Sequence, residues 1–116
     1  MDFTEMPVWQ NAIHMLTEVY RLTKHFPAEE KYGLISDMRR AANSVAHNIA
    51  EGSGRFGPKD KTRFYKISRG SALELISQCY ASVELTYMDI STRRSLEQGY
   101  RGIIGQLTVM IKSLEK

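Results

Sequence analysis

The chain has 116 residues, 42% of them hydrophobic and 25% charged, with a net charge of +3. This fits one globular domain over residues 1–116 and excludes a two-domain enzyme with a cleft between its halves. No apolar run approaches the ~18–20 residues of a membrane span, and the acidic start MDFTEMPVWQ lacks an apolar signal core, so no membrane partner and a cytoplasmic location are expected. Cys79 is the only cysteine, which rules out a disulfide framework and suits a reducing compartment.

Nearly every segment carries a helical period. The first helix is expected from Pro7, a residue suited to a first helical turn. Trp9, Ala12, Leu16, Val19 and Thr23 form its core stripe, with Ile13 and Tyr20 beside them. It should stop near Phe26-Pro27, because proline disfavours helix in the residue before it. A second helix is expected from Leu34 to Ala50, with Met38, Ala42, Val45 and Ile49 inward. Its alanines make it thin enough for a neighbour to approach closely. Gly52 and Gly54 are expected to end it in a left-handed cap.

The third helix is expected from Lys59 to Met88. Its main seam is Leu73, Ile76, Tyr80, Val83 and Tyr87, and a second apolar line runs through Phe64, Ile67, Ser71, Leu75 and Cys79. So wide an apolar arc exceeds one bundle seam and predicts a subunit interface. Asp89 or Ser91 should cap a fourth helix that carries Ile103, Leu107, Met110 or Ile111, and Leu114. Gly99, Gly102 and Gly105 either admit a close neighbour or loosen this helix. Four helices with short connections and no period-two segment predict an all-α, antiparallel up-down-up-down four-helix bundle.

The stretch NIAEGSGRFGP raises the question of a phosphate cradle. Gly52 and Gly57 have the separation of a P-loop, but Pro58 stands where its lysine belongs, Lys59 comes one place late, and a helix rather than a strand precedes. The glycines therefore read as a joint between helices. His14, His25 and His47 have no metal-ligand spacing, and neither a metal nor a cofactor is expected. His47 and Glu51, four apart, read as a helix-surface contact. Cys79 lies on an apolar line and reads as a buried thiol.

Immediately beyond the joint the chain turns basic. Between residues 55 and 69 stand Arg55, Lys59, Lys61, Arg63, Lys66 and Arg69 against Asp60 alone, so the positive excess of the chain is concentrated there. Arg55, Lys59, Lys61, Arg63 and Lys66 are the candidate nucleic-acid contacts. Lysine and arginine neutralise phosphates, and the nearby Phe56 and Tyr65 have rings that can stack on bases. Phe64 is assigned to the core. A second polar set, Asn48, Glu51, Arg69, Ser71 and Glu74, surrounds the joint. Glu51 or Glu74 is expected to pair with Arg55 or Arg69, as buried charge requires.

The phrases VWQNA, FPAEEKYGL, RRAANSVAHNIAEGSGR and SRGSALEL resemble the small four-helix-bundle proteins encoded in intervening sequences of bacterial 23S ribosomal RNA genes. The resemblance runs in order along nearly the whole chain and is weakest towards its end. It implies an antiparallel bundle that assembles as a ring-like homopentamer, with no known catalytic activity. Proteins similar in fold are accessory factors of diversity-generating retroelements, which bind nucleic acid and a reverse transcriptase through a basic surface. The family pattern offers no agreed active residues. Members often carry a proline after the position of Val45, whereas Ala46 stands here, so an unkinked second helix is expected.

Three functions are compatible with these residues. The first is a non-enzymatic oligomer that binds nucleic acid, RNA above all, through the helix 2–3 corner. The alternative is an oligomeric scaffold or adaptor for another protein, without a nucleic-acid role. An enzyme would need a pocket of convergent polar groups, which no spacing here predicts.

Overall fold

A computed structural model describes residues 2–116 and contains four long helices: α1 (Pro7–Thr23), α2 (Leu34–Ser53), α3 (Pro58–Glu84) and α4 (Ile90–Leu114). Short 3₁₀ turns at Phe3–Glu5 and Ala28–Glu30 precede α1 and α2, and no strand occurs among the described residues. The molecule measures 44 × 22 × 21 Å. Its long dimension matches α3, whose 27 residues rise about 40 Å at about 1.5 Å each. Each helix packs on two others in the cyclic order α1–α2–α3–α4, and the diagonal pairs stay apart, which defines a four-helix bundle.

The helix starts obey local chemistry. Pro7 and Pro58 occupy first-turn positions, where a missing N–H costs nothing. Asp89 caps α4. Its carboxylate accepts the Thr92 N–H at 2.7 Å, and this bond holds the carboxyl below its usual range. The Glu30 carboxylate accepts both the Leu34 N–H at 3.1 Å and the Tyr87 hydroxyl at 2.9 Å, so one side chain ties the start of α2 to the segment before α4.

The core is densest where α2 meets α3. Met38, Ala41, Ala42, Val45, Ala46, Ile49 and Gly52 form the buried face of α2. The small members bring the backbones close enough for the Ser68 hydroxyl to donate directly to the Val45 carbonyl at 2.7 Å. Leu75, Ile103 and Leu107 complete the centre with no exposed surface, each worth about 1.5–3 kcal/mol of transfer free energy.

The buried face of α3 differs from expectation. It consists of Thr62, Tyr65, Ser68, Ala72, Leu75, Ile76, Cys79 and Ser82, while Ile67, Leu73 and Tyr80 lie exposed. Thr62, Ser68 and Ser82 hold seam positions because each hydroxyl donates to a carbonyl, of Lys59, Val45 and Gln78 respectively. A satisfied hydroxyl can be buried, and this hides the seam from a purely apolar pattern. Phe64 is likewise outside the core, and its neighbour Tyr65 takes the inward place, only 4% exposed.

Two helix ends also move. Helix α2 runs past Ala50 to Ser53, and Gly54 caps it in right-handed geometry at φ −85°. No described glycine has a positive φ, so the left-handed cap expected at Gly52 and Gly54 does not form. Gly52 serves a different purpose: a Cβ there would lie 2.6 Å from the Tyr65 ring and 3.2 Å from the Lys61 carbonyl. The left-handed residue is Thr86, at φ 66°. There α3 has already stopped at Glu84, not Met88, in a Schellman closure: Tyr87 N–H to Ser82 C=O at 2.8 Å and Thr86 N–H to Val83 C=O at 2.9 Å. In α4 the glycines divide. Gly99 lies against Met15 of α1, whereas Gly102 and Gly105 face open space.

Candidate nucleic-acid interface

The corner between α2 and α3 uses much of its charge internally. The Arg55 guanidinium lies 3.5 Å from Glu51 and 3.6 Å from Asp60. Arg63 pairs with Asp60 at 3.1 Å. The two guanidiniums lie over the ring of Phe64, at 4.6 and 4.3 Å from its centroid, so the half-buried ring serves as their platform. Lys61 turns back and donates to the Ser53 carbonyl at 2.8 Å and the Gly52 carbonyl at 3.3 Å. It thereby bonds carbonyls of the last turn of α2, of which Gly52 also accepts the Arg55 N–H at 3.2 Å, and places a cation at the negative pole of that helix.

The other basic residues face α4, and Arg63, though paired with Asp60, borders them. Lys59, Arg63 and Lys66 recur at four and three residues along α3, and Arg69 comes on the next turn. Lys112 approaches from α4. Two adjoining depressions of about 360 and 330 Å³ hold these side chains and share Lys66 and Glu115 as common walls. The first also contains Thr62; the second contains Thr108 and Ile111. Lys66 Nζ pairs with Glu115 at 2.7 Å, and Arg69 Nε donates to the Thr108 hydroxyl at 2.9 Å. Five cationic side chains thus line one groove, in which Glu115 is the only lining carboxylate among the described residues, while Asp60 pairs with Arg63 from outside it.

Lys112, Thr108 and Glu115 were invisible to a count along residues 55–69. The available signal was the packing of α4 beside α3, which sets the last turns of α4 next to the first turns of α3.

The second polar set does not form one cluster. Asn48 donates to the Ser44 carbonyl at 2.9 Å and the Ser44 hydroxyl at 3.0 Å, and Ser44 bonds Ser71 at 2.8 Å, a polar bridge between α2 and α3. Glu51 meets Arg55, but Arg69 reaches Thr108 on α4, not Glu51 or Glu74, and Glu74 is exposed. The cause is helical rotation: residues 69 and 71 are about 200° apart around the axis, so one faces α4 and the other α2.

Other candidates fall into ordinary places. His47 bonds Asn43 at 3.2 Å rather than Glu51. Tyr65 is buried and closed to stacking, whereas Phe56 is fully exposed. Cys79 is buried, and burial pushes its thiol from 9.0 up to about 12. Among the described residues no three His, Cys, Asp or Glu gather as metal ligands would, and no helix is long and apolar enough to cross a membrane.

The fold and the groove define an all-α four-helix-bundle protein with a cationic surface where α3 and α4 meet. The profile of the 23S rRNA-intervening sequence protein family matches residues 4–109, so the chain belongs to that family. Among solved structures it is similar to a protein of unknown function from the S23 ribosomal protein family of Bacteroides thetaiotaomicron VPI-5482. The TM-score is 0.81 at 16% identity, over 90% of this chain and 98% of that one. At that identity the likeness concerns the fold. No curated protein matches the sequence.

Proposed function

We propose that the protein is a non-enzymatic, oligomeric RNA-binding protein of the cytoplasm, with the α3/α4 groove as its phosphate-facing surface. The observation that carries this is the convergence of Lys59, Arg63, Lys66, Arg69 and Lys112 on one groove with a single carboxylate. The family's name, which refers to 23S rRNA, supports the same direction. Contacts of this kind position a phosphate backbone without reading bases, so affinity would depend steeply on salt and little on sequence. Of the five contacts expected from sequence, Lys59, Arg63 and Lys66 belong to the groove. Arg55 and Lys61 are occupied at the corner and support it.

The bundle is taken as antiparallel, up-down-up-down. Lys66 meets Glu115, Arg69 meets Thr108 and Tyr80 meets Glu97, so positions rise along α3 as they fall along α4. Exposed Ile67, Leu73 and Tyr80 on α3 support self-association; the family resemblance supplies the number five, and a homopentamer would repeat the groove five times around a ring. Light scattering tests this, and a monomer at micromolar concentration would refute it.

The binding test is fluorescence anisotropy of a labelled structured RNA across a salt series. Each phosphate-neutralising cation contributes about −0.7 to −0.9 to the slope of log K against log salt. Lys59→Ala/Arg63→Ala/Lys66→Ala should therefore flatten that slope by about two units. Lys61→Met should leave the slope unchanged while costing about 1 kcal/mol of stability through the lost helix-end contact. Absence of binding at low salt by folded, oligomeric protein would refute the proposal and favour the adaptor function, with the fully exposed Phe56 as its anchor.

A further inference from the structure

Glu115 occupies an unusual place. It caps the end of α4, and its carboxylate is the one anionic group lining a groove whose other charged residues are cations. It lies 2.7 Å from Lys66 Nζ, with about half of each side chain open to solvent (48% and 57%). A carboxylate held at charge-assisted distance by lysine marks a position suited to a phosphate oxygen, which makes the same kind of bond. Lys66 is also the residue shared by both halves of the groove. The carboxylate therefore stands where a backbone passing from Lys59 and Arg63 towards Arg69 and Lys112 must cross.

We infer that Glu115 is an internal competitor for the phosphate position at Lys66, displaced when the phosphodiester backbone of RNA enters the groove. This rests on the RNA-binding function proposed above. Lys66, Arg69 and Lys112 then hold the phosphate that replaces Glu115, and Thr108 keeps Arg69 in place through its hydroxyl. The pair is exposed, so its opening is cheap and the competitor tunes affinity without blocking the groove.

The test uses the intact protein and the same structured RNA, labelled with fluorescein and read by anisotropy at low and moderate salt. Glu115→Gln keeps the shape and removes the charge. It should tighten binding about two- to five-fold at low salt, the scale of an exposed ion pair. In the Lys66→Gln background the same Glu115→Gln change should have no effect, because the competitor has lost its target.

If the wild type binds with salt dependence and Glu115→Gln does not change affinity, the competitor is overturned and RNA binding stands. The competitor is equally overturned if Glu115→Gln tightens binding by the same factor with and without Lys66, since Glu115 then acts only as diffuse charge. If only Glu115→Gln binds, the wild-type groove is blocked rather than tuned, which an exposed pair cannot do, and the competitor as stated is overturned. If neither protein binds, both ideas fail.

Discussion

Gly52→Ala is the sharpest test of how the α2–α3 corner is built. The new Cβ would lie 2.6 and 2.9 Å from two carbons of the Tyr65 ring and 3.2 Å from the Lys61 carbonyl. Carbon atoms pack best at about 3.5–4.0 Å, so the ring must retreat by about 1 Å. It has little freedom to do so: Tyr65 is buried, and the second obstacle is backbone. Overpacking of this kind costs about 1–3 kcal/mol, whereas replacing a helical glycine by alanine returns about 1 kcal/mol. The net expectation is a loss of up to about 2 kcal/mol. Gly102→Ala is the internal comparison, since a Cβ there meets nothing within 4 Å and should stabilise by about 0.5–1 kcal/mol. Thermal unfolding monitored by circular dichroism, at one fixed protein concentration, should rank Gly102→Ala above wild type and wild type above Gly52→Ala. If Gly52→Ala equals or exceeds Gly102→Ala in stability, the close-approach explanation of Gly52 is wrong.

Two further predictions concern the other end of α3. Thr86 holds a left-handed conformation, φ 66°, that costs a β-branched residue about 1–2 kcal/mol. Thr86→Gly should raise the urea midpoint by the equivalent of about 1 kcal/mol with an unchanged m-value, and a lower midpoint would show that the Thr86 hydroxyl bond to Leu85 matters more. Burial first, and then the charge of Glu97, raises the Cys79 thiol from 9.0 to about 12. Below pH 9.0 both folded and unfolded chains keep the proton. Above it the unfolded chain loses the proton first, so stability should fall with pH by at most about 1.4 kcal/mol per unit from this residue. Cys79→Ala should remove that component of the slope in urea unfolding above pH 9.0, and an identical slope in both proteins would refute the assignment.

Much of the architecture was legible in one dimension. The three-four spacing of Ala12, Val19 and Thr23, of Met38, Ala42, Val45 and Ile49, and of Ile103 and Leu107 identifies buried faces that the structure shares. Such spacing reflects a rule that holds within a single helix. Pro7 as a helix start, and a cap at Asp89 or Ser91 that the structure assigns to Asp89, were legible for the same reason: each acts on backbone within a few residues. Pro58, standing where a P-loop needs lysine, excludes the phosphate cradle on sequence grounds alone.

What the tertiary structure decided depends on residues far apart in the chain. Apolar spacing found Leu75, Ile76 and Cys79 of the α3 core but missed Ser68 and Ser82, which become core residues only when carbonyls satisfy them, and the carbonyl for Ser68 belongs to another helix. Lys61 and Lys66 look alike in the sequence, yet Lys61 closes the end of α2 and Lys66 meets Glu115, 49 residues away. The composition of residues 55–69 settles how much positive charge the chain gathers there. Which of those charges remain for a partner is settled by packing, because a charge is neutralised by whatever the fold brings within a few ångströms of it.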